Sequence, residues 1–338
     1  MLLTGFVRQF MDSNRTKGWN PLFLIIRSNG KIVGAVSLMV KRWLGLRMAE
    51  FLHEDWLAPD FVFSTHYREV CIDSLCKYLL EKLRCHLVRF YLPAESPNLR
   101  ALENRLRSYG ADFSIREQSR HSVIPVDCSW DEFQSRKGRR RKIRQIERKL
   151  NKSWPWEIEC IRNFDGGPSL PERILGIEAR SWKQSPQNSL RDVSIEQILM
   201  IIEGASAVRH ETEEFDSDVW FLNVNHVPVA YTLTVKYKGT GYIVKTSYDQ
   251  KYAKTYVGKY LNNLAIQDMF SDGETKNIDF MASYPFMDFW TKSSVGHVGF
   301  SILRGKGATA LELLQQRTSI PKLWRTTVNS WKRFRLRQ

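Results

Sequence analysis

The clearest pattern in the chain is a pair of strand-like runs in its second half, Val227-Pro-Val-Ala-Tyr-Thr-Leu-Thr-Val-Lys-Tyr237 and Tyr242-Ile-Val-Lys-Thr-Ser-Tyr248. The first run alternates apolar and polar residues and is rich in β-branched and aromatic side chains, which predicts a strand. Between the runs lies Lys238-Gly-Thr-Gly241, and glycine relieves the positive φ angles that a tight turn requires. We therefore predict an antiparallel hairpin over residues 227–248.

A helix is predicted directly after this hairpin. Apolar residues recur at helical spacing between residues 257 and 270, at Leu261, Leu264, Ala265 and Met269. A strand that leads through a glycine, here Gly258, into a helix can bind a pyrophosphate, because free backbone N–H groups point outward at the helix N-terminus. Many such joints bind nothing, so on this pattern alone a plain helix start is the alternative.

The composition indicates a globular protein. The chain has 338 residues, 43% of them apolar, and a mean hydropathy of −0.38, which is enough for two domains of ordinary size. No apolar run approaches the roughly 18–20 residues that cross a bilayer. The first residues become charged too early for a secretory signal, so we expect a cytoplasmic location. The five cysteines form no CxxC pair and the seven histidines no HxxxH spacing, so no metal site is expected.

The net charge of +15 is concentrated in two segments. Residues 136–149 (RKGRRRKIRQIERK) carry nine Lys/Arg and one Glu, and residues 322–338 (KLWRTTVNSWKRFRLRQ) carry six Lys/Arg and no acid. These two segments account for +14 of the charge, so the rest of the chain is almost neutral. Such patches attract polyanions, including nucleic acid, acidic lipid and phosphorylated ligands, although a solvated helix face is an equal alternative.

Alternating strand and helix signals predict two α/β units of similar plan. The first half opens with a hairpin around Asn29-Gly30, and the second with one long basic helix over residues 130–150. We place an N-terminal domain at 1–126, a C-terminal domain including that helix at 127–310, and a basic amphipathic tail at 311–338. No short sequence repeat relates the two halves.

Five motifs then occur in an order that resembles one family, the GNAT-fold acyltransferases of the FemAB and CelD-like (BioF2-like) type. They are the arginine-rich helix with Trp130, Phe133 and Arg139-Arg-Arg-Lys-Ile-Arg144, the run Glu178-Ala-Arg-Ser-Trp-Lys183, the hairpin closing on Tyr248-Asp249 with Tyr252, the helix start at Gly258, and Asp279-Phe280 followed by Tyr284–Lys292. The first half is similar in its Pro21–Val36 hairpin. The resemblance covers roughly residues 20–305.

The resemblance implies tandem GNAT-like domains, each a mixed, mostly antiparallel sheet flanked by helices. It also implies acetyl-CoA or another acyl-CoA as donor, lying in a splay between two central strands with its pyrophosphate on the following helix. The residues expected at that donor site are Ser247, Tyr248, Val257, Gly258, Lys259 and Leu261. The acceptor would be an amine or hydroxyl of a sugar, glycan precursor or similar small molecule.

Acyl transfer also requires a proton acceptor and groups that hold the acceptor substrate. The candidate acids are Glu178, Asp249 and Asp279, each with a capping or surface role as the alternative. The candidate acceptor-binding residues are Arg140, Arg144, Trp182, Lys183, Trp290 and Lys292. Arg136, Arg140 and Arg144 would form one stripe on the basic helix, and the two tryptophans could equally pack in the core.

Several hypotheses about the function remain open. The acyl-CoA-dependent enzyme is favoured, because the motifs occur in order and no insertion is long enough for the coiled coil of tRNA-dependent relatives. One alternative is a non-catalytic subunit of envelope or polysaccharide synthesis, with residues 322–338 contacting anionic membrane from the inner face. Another is tRNA-dependent aminoacyl transfer. Nucleic-acid binding through the basic helix is the least favoured, since no recognised module is present.

Overall fold

The computed structural model describes residues 18–51, 60–164, 167, 169–181, 183, 215–306 and 309. The chain divides into two compact units: one is formed by the described parts of Arg15–His53, Ala58–Gln118 and His297–Gln338, and the other by Ser119–Gly296. In each unit a mixed, mostly antiparallel sheet is packed against helices, which confirms the predicted α/β class. The three-part division at residues 126 and 310 stays a prediction.

The strands are β1 (Asn20–Ser28), β2 (Lys31–Trp43), β3 (Leu46–Phe51), β4 (Val62–Phe63), β5 (Leu87–Pro93), β6 (Asp112–Pro125), β7 (Trp156–Arg162), β8 (Phe215–Val224), β9 (Val227–Tyr237), β10 (Thr240–Tyr248), β11 (Asn277–Asp279) and β12 (Ser294–Leu303). The α-helices are α1 (Arg68–Lys77), α2 (Pro97–Ser108), α3 (Trp130–Ser135), α4 (Arg139–Ser153), α5 (Ser169–Ala179) and α6 (Val257–Ser271).

The unit that contains the first half of the chain has the sheet order β1-β2-β3-β5-β12, with β4 on the side of β2. The predicted hairpin around Asn29-Gly30 is confirmed, and both turn residues have positive φ (48° and 78°), as a tight two-residue turn requires. Helices α1 and α2 bury their apolar faces against this sheet. Only β3 and β5 run parallel among the described pairs of this unit.

The second unit has the sheet order β6-β11-β10-β9-β8-β7. The predicted β9–β10 hairpin is confirmed from Val227 to Tyr248, and α6 begins at Val257 as expected. Strand β10 shifts register against β9 between Ile243 and Lys245, which is a β-bulge. Helix α6 packs against this meander through Val257, Leu261 and their neighbours.

The prediction of one long helix over residues 130–150 is wrong. Helix α3 ends at Ser135, a 3₁₀ turn covers Arg136–Gly138, and α4 begins at Arg139. The break occurs because Lys137 (φ 56°) and Gly138 (φ 65°) both adopt the left-handed region, which no α-helix continues through. The predicted stripe of Arg136, Arg140 and Arg144 is therefore also wrong, since Arg136 precedes the break.

The predicted helix over residues 170–183 is shorter than expected. Helix α5 ends at Ala179, and Ser181 then forms a β-bridge with Asp249, which draws the chain onto the end of β10. The helix predicted at 194–208, Trp182, and the tail from 311 onward lie outside the described residues.

Candidate donor and acid–base site

Strands β10 and β11 run parallel, and their ladder is short. It pairs only Thr240–Tyr242 with Asn277–Asp279, whereas β10 continues for six more residues to Tyr248. A strand rises about 3.3 Å per residue, so the open part of β10 is about 20 Å long. No described strand pairs with this edge of β10 beyond Tyr242, and the strand ends close to the start of α6.

The N-terminus of α6 lies at the end of this open strand. Tyr256 precedes the helix in the left-handed conformation (φ 58°), and no described side chain caps the first turn. The first turn contains no acidic residue. Its backbone N–H groups are therefore available to an anion, which the helix dipole also favours.

Lysines surround this helix start. The Lys259 ammonium lies 4.4 Å from the Phe289 ring centroid and 5.3 Å from that of Tyr256. Lys142 lies 5.8 Å from Phe289, and Lys149 lies 5.8 Å from Tyr256. Burial, and then the charge of Lys142, lower the pKa of Lys259. A bound anion would relieve this repulsion among cations.

The other residues predicted for the donor site take distinct positions. Val257 and Leu261 are fully buried in the core of the unit. Gly258 is required by packing, because an added Cβ would lie 2.8 Å from Cδ1 of Tyr248. The Tyr248 ring is half-buried against that glycine, and burial raises the pKa of its hydroxyl. Gly258 thus lets the end of β10 approach the helix closely.

Glu178 lies in a buried polar cluster that also contains Lys183. The Lys183 ammonium donates to Glu178 Oε1 (3.1 Å) and to the carbonyl of Thr246 on β10 (2.9 Å). The Tyr231 hydroxyl on β9 donates a short hydrogen bond to the same carboxylate. Burial, and then Glu178, raise the pKa of Tyr231 well above its ordinary value. A buried carboxylate is thus held by a cation and a phenol beside the open strand.

Ser247 lies on the same face as this cluster. It pairs with Tyr231 across the β9–β10 ladder, and directly opposed residues project to one side of a sheet. Its side chain is 1% exposed, and its hydroxyl has no hydrogen-bond partner among the described residues. A buried, unpaired hydroxyl is costly unless something else satisfies it.

Asp249 and Asp279 have other surroundings. Asp249 caps the 3₁₀ turn Gln250–Thr255 by accepting from the backbone N–H of Lys251, and its other oxygen accepts from Arg180 (2.7 Å). Asp279 pairs with Tyr242, the last pair of the ladder before the open part of β10, and there it is 3.4 Å from His121 Nδ1 and accepts from the backbone N–H of Met281. Only Asp249 is near the Glu178 cluster.

The remaining predicted acceptor residues do not join that cluster. Arg140 pairs with Asp131 on the surface, and Arg144 is exposed on α4. Trp290 is 1% exposed and packs on Phe280, so the core-packing alternative describes its ring. Lys292 is exposed at the edge of a separate pocket that Trp290 also lines.

The sequence did not identify Tyr231 or the buried hydrogen bonds beneath α6. Thr232 donates to Asn262 Oδ1 (2.6 Å), and Gln134 donates to Asn263 Oδ1 (2.7 Å). Adjacent asparagines in an otherwise apolar helix were the available signal, because buried amides need partners. A tyrosine in an alternating strand is usually an ordinary core residue, so the sequence pattern did not indicate a functional role for Tyr231.

The comparisons with known proteins agree with this geometry. Residues 137–286 match the family model described as "Acetyltransferase (GNAT) domain". The chain has a GNAT-type fold. No curated protein matches its sequence.

Solved structures share the architecture at low identity. FemX superposes with a TM-score of 0.58 at 9% identity, covering 86% of this chain and 90% of that one. L-PGS from Bacillus licheniformis gives a TM-score of 0.54 at 11% identity, with coverages of 92% and 96%. A conserved protein of unknown function from Bacteroides thetaiotaomicron VPI-5482 also gives 0.54 at 11% identity, with coverages of 90% and 91%. At such identities these likenesses establish the fold.

The described residues contain no group of three or more His, Cys, Asp or Glu side chains arranged to hold a metal ion. None of the helices in the part of the chain that the structure describes is long and apolar enough to cross a membrane.

Proposed function

We propose that the chain is an acyltransferase that takes an acyl group from acyl-CoA and transfers it to an amine or hydroxyl of a small acceptor such as a sugar or glycan precursor. One observation carries the proposal: the β10–β11 ladder ends at Tyr242, and the open edge of β10 beyond it leads to the uncapped, lysine-flanked N-terminus of α6. An extended thioester arm needs an open strand edge, and its pyrophosphate needs free N–H groups with positive charge. Both lie at the same end of β10.

In this proposal the donor's phosphates bind the first turn of α6 with Lys259, and its arm follows the open part of β10 from Tyr248 toward Ile243. The Ser247 hydroxyl, buried and without a described partner, donates a hydrogen bond to the part of the arm next to the phosphates. Glu178 receives the proton from the attacking nucleophile. Lys183 and Tyr231 hold that carboxylate in place, so they are positioning residues.

The binding part of the proposal is tested by titrating acetyl-CoA, and a longer acyl-CoA, into wild type and Lys259→Glu in a calorimeter. We expect the charge reversal to weaken binding at least ten-fold, because it removes one cation and adds an anion beside the phosphates. Lys276→Glu is the matched control, since Lys276 is exposed at the opposite end of β10. Equal affinities in all three proteins would refute the α6 start as the donor site, and no binding to any of them would refute acyl-CoA as the donor.

The catalytic part is tested by turnover with a panel of amine and hydroxyl acceptors. Glu178→Gln keeps the side-chain shape and removes the base, so we expect acyl transfer to fall by a factor on the order of 10² to 10⁴ while donor affinity stays unchanged. Turnover by this variant at the wild-type rate would exclude Glu178 as the base.

A second donor is favoured by one observation, the exposed basic face of α4 next to the α6 start. Lys142 and Lys149 of this face reach the aromatic rings around Lys259. Aminoacyl-tRNA would use more of this surface than CoA. The C-terminal domain of a putative lysylphosphatidylglycerol synthetase from Agrobacterium fabrum shares the fold, with a TM-score of 0.52 at 10% identity and coverages of 94% of this chain and 91% of that one. Competition by tRNA with a steep salt dependence, without acyl-CoA binding, would identify this donor.

A further inference from the structure

A pocket lies in the Ser119–Gly296 unit, and none of its lining residues belongs to the Glu178 cluster. It has a volume of about 280 Å³ and is bounded by the end of β6, the α3–α4 break and the segment after Trp290. Its apolar wall includes Ile124 and Phe133, and its polar wall includes Asp127, Thr291 and Ser293. The cationic lining residues are Arg136, Lys137, Arg139 and Lys292. Four cations against one carboxylate make this a site of strongly positive potential.

Arg139 contributes a buried charge that no described carboxylate neutralises. Its guanidinium, on a residue that is 3% exposed, donates to the carbonyls of Phe133 (2.6 Å), Trp290 (2.8 Å) and Phe289 (3.2 Å). These hydrogen bonds engage the guanidinium N–H groups, but neutral carbonyls do not neutralise its positive charge. Burial, and then the neighbouring Arg136, lower its pKa. A buried cation of this kind favours an anion close by.

A polar atom without a partner marks the same place. Trp290 lines the pocket and is 1% exposed, and its indole N–H has no acceptor among the described residues. Lys137 and Lys292 lie at the rim, are exposed, and form no ion pair with the described residues. Arg136 is already engaged by Glu132 (2.7 Å). The pocket thus offers two ammonium groups without an ion pair among the described residues, and an unsatisfied indole N–H lies in its buried wall.

Backbone conformation holds this cationic wall in place. Lys137 adopts φ 56° and ψ 20°, a region that lysine rarely occupies, and it does so between α3 and α4. This kink turns the chain at the pocket instead of continuing the helix. The carbonyls of Phe289 and Trp290 that Arg139 binds belong to the segment that also carries Lys292, so one buried side chain ties both walls together.

We propose that this pocket binds the phosphate monoester of a small ligand, with the body of the ligand against Phe133 and Ile124. A phosphate monoester is close to dianionic at neutral pH and has several acceptor oxygens, which matches two ammonium groups that form no ion pair with the described residues and an indole N–H in the wall behind them. The volume suits a phosphosugar-sized group rather than a macromolecule. The assignment of this pocket to the reaction rests on the proposed function, in which the ligand is a phosphorylated acceptor. The alternative source of a phosphate monoester is the ribose 3′-phosphate of CoA.

The test measures binding, so it does not depend on turnover. Inorganic phosphate, a hexose 6-phosphate and the neutral hexose are each titrated into the full chain by calorimetry. The pocket variant is Lys137→Asn with Lys292→Gln, since asparagine tolerates the left-handed conformation at residue 137. Lys276→Gln is the control for a lost surface charge. Trp290→Phe removes the indole N–H and retains most of the ring.

We expect the hexose phosphate to bind wild type and the control, and the neutral hexose to bind neither. Loss of two charge-assisted contacts should weaken binding by the pocket variant at least ten-fold, and Trp290→Phe should weaken it several-fold. The proposal is overturned if wild type does not bind hexose phosphate and the pocket variant binds CoA ligands as wild type does. It is also overturned if the control weakens binding as much as the pocket variant does.

Acetyl-CoA and its 3′-dephospho form distinguish the two sources of phosphate. If the pocket variant binds both as wild type does, the monoester belongs to the acceptor. If it loses affinity for acetyl-CoA but not for the dephospho form, the pocket binds a phosphate monoester and the donor supplies it. Lys259→Glu reports separately on the α6 site, so failure of the donor proposal and failure of this pocket give different results.

Discussion

At the scale of single residues, the buried carboxylate of Glu178 depends on partners that are distant in sequence. Lys183 is five residues away and visible in the motif, but Tyr231 is 53 residues away. The sequence could therefore nominate Glu178 and Lys183, whereas the phenol that completes the cluster appears only when β9 is placed beside α5. Residue types predict chemistry well when the partners are local, and poorly when the sheet supplies them.

Tyr231→Phe tests the positioning role of the phenol. Removing its hydroxyl leaves one hydrogen bond fewer on a buried carboxylate, which should destabilise the fold by about 1–3 kcal/mol. If Tyr231 also orients Glu178, kcat should fall at least ten-fold with KM for the donor unchanged, and the pH profile of kcat should shift. Tyr260→Phe is the matched control, because Tyr260 also donates to a glutamate, Glu147, at 3.3 Å. A change in stability alone, equal in both variants, would make Tyr231 purely structural.

The lowered pKa of Lys259 predicts a pH dependence of donor binding. An ordinary lysine has a value of 10.5, and here burial, and then Lys142, favour the neutral form. In the free protein, the charged form of Lys259 destabilises the fold at pH values below the folded-state pKa of this lysine. The destabilisation is lost as the pH rises through that pKa. A bound phosphate favours the charged form, so affinity should begin to fall at a lower pH than for an ordinary lysine.

Calorimetric titrations of acetyl-CoA across alkaline pH would measure this effect. Lys142→Gln should move the fall in affinity to higher pH, because it removes the nearby charge. Lys259→Arg should abolish it over the accessible range, since arginine stays protonated. An unchanged profile in both variants would contradict a role for Lys259 in binding the phosphates.

At the scale of elements, local signals predicted most of the second unit. The β9–β10 hairpin and α6 follow from alternation, glycine-containing turns and helical periodicity, and each is confirmed. The break between α3 and α4 was missed because the basic run resembles one helix. Gly138 was the only warning, and a single glycine inside a helical pattern is tolerated often enough to be overlooked. Arg139 turned inward there, and nothing in an arginine-rich run identifies which arginine is buried.

The joint between β10 and α6 makes a prediction about glycine. Gly258→Ala would place a Cβ 2.8 Å from the Tyr248 ring, so either the strand end or the helix start must move. We expect a destabilisation of about 1–3 kcal/mol from overpacking, only partly offset by the helix propensity of alanine. Chemical unfolding measures it, and donor affinity should fall with it.

Gly176→Ala in α5 provides the control. Its added Cβ would meet only Arg180 Nη1 at an ordinary 3.6 Å, so helix propensity should dominate and the variant should be neutral or up to about 1 kcal/mol more stable. The two substitutions are chemically identical and both lie in helices. Equal effects on stability would mean that the Tyr248 contact is unimportant.

At the scale of the whole molecule, the order of motifs predicted the GNAT-type fold but could not supply strand pairing. Residues His297–Leu303 of β12 pair with β5, more than 200 residues earlier in the chain. Pairing between distant strands depends on loop closure and register, which local patterns do not encode. The end of the β10–β11 ladder at Tyr242, on which the donor proposal rests, also depends on pairing between strands that are distant in the sequence.

The charge of the whole chain leads to a last prediction about membranes. Residues 322–338 carry six of the 51 Lys/Arg and no acid, with Trp324, Val328 and Trp331 at helical spacing, so we expect the full chain to bind anionic vesicles at low salt. Deleting 322–338 should abolish binding in a flotation assay, and added salt should weaken it. Arg141→Gln with Arg148→Gln, two exposed positions on α4, controls for loss of charge elsewhere and should leave most of the binding. If that variant loses binding and the deletion keeps it, the basic face of α4 is the membrane-binding surface, and Lys142 and Lys149, which lie next to Arg141 and Arg148 in the sequence and flank the donor site, would then lie beside the membrane.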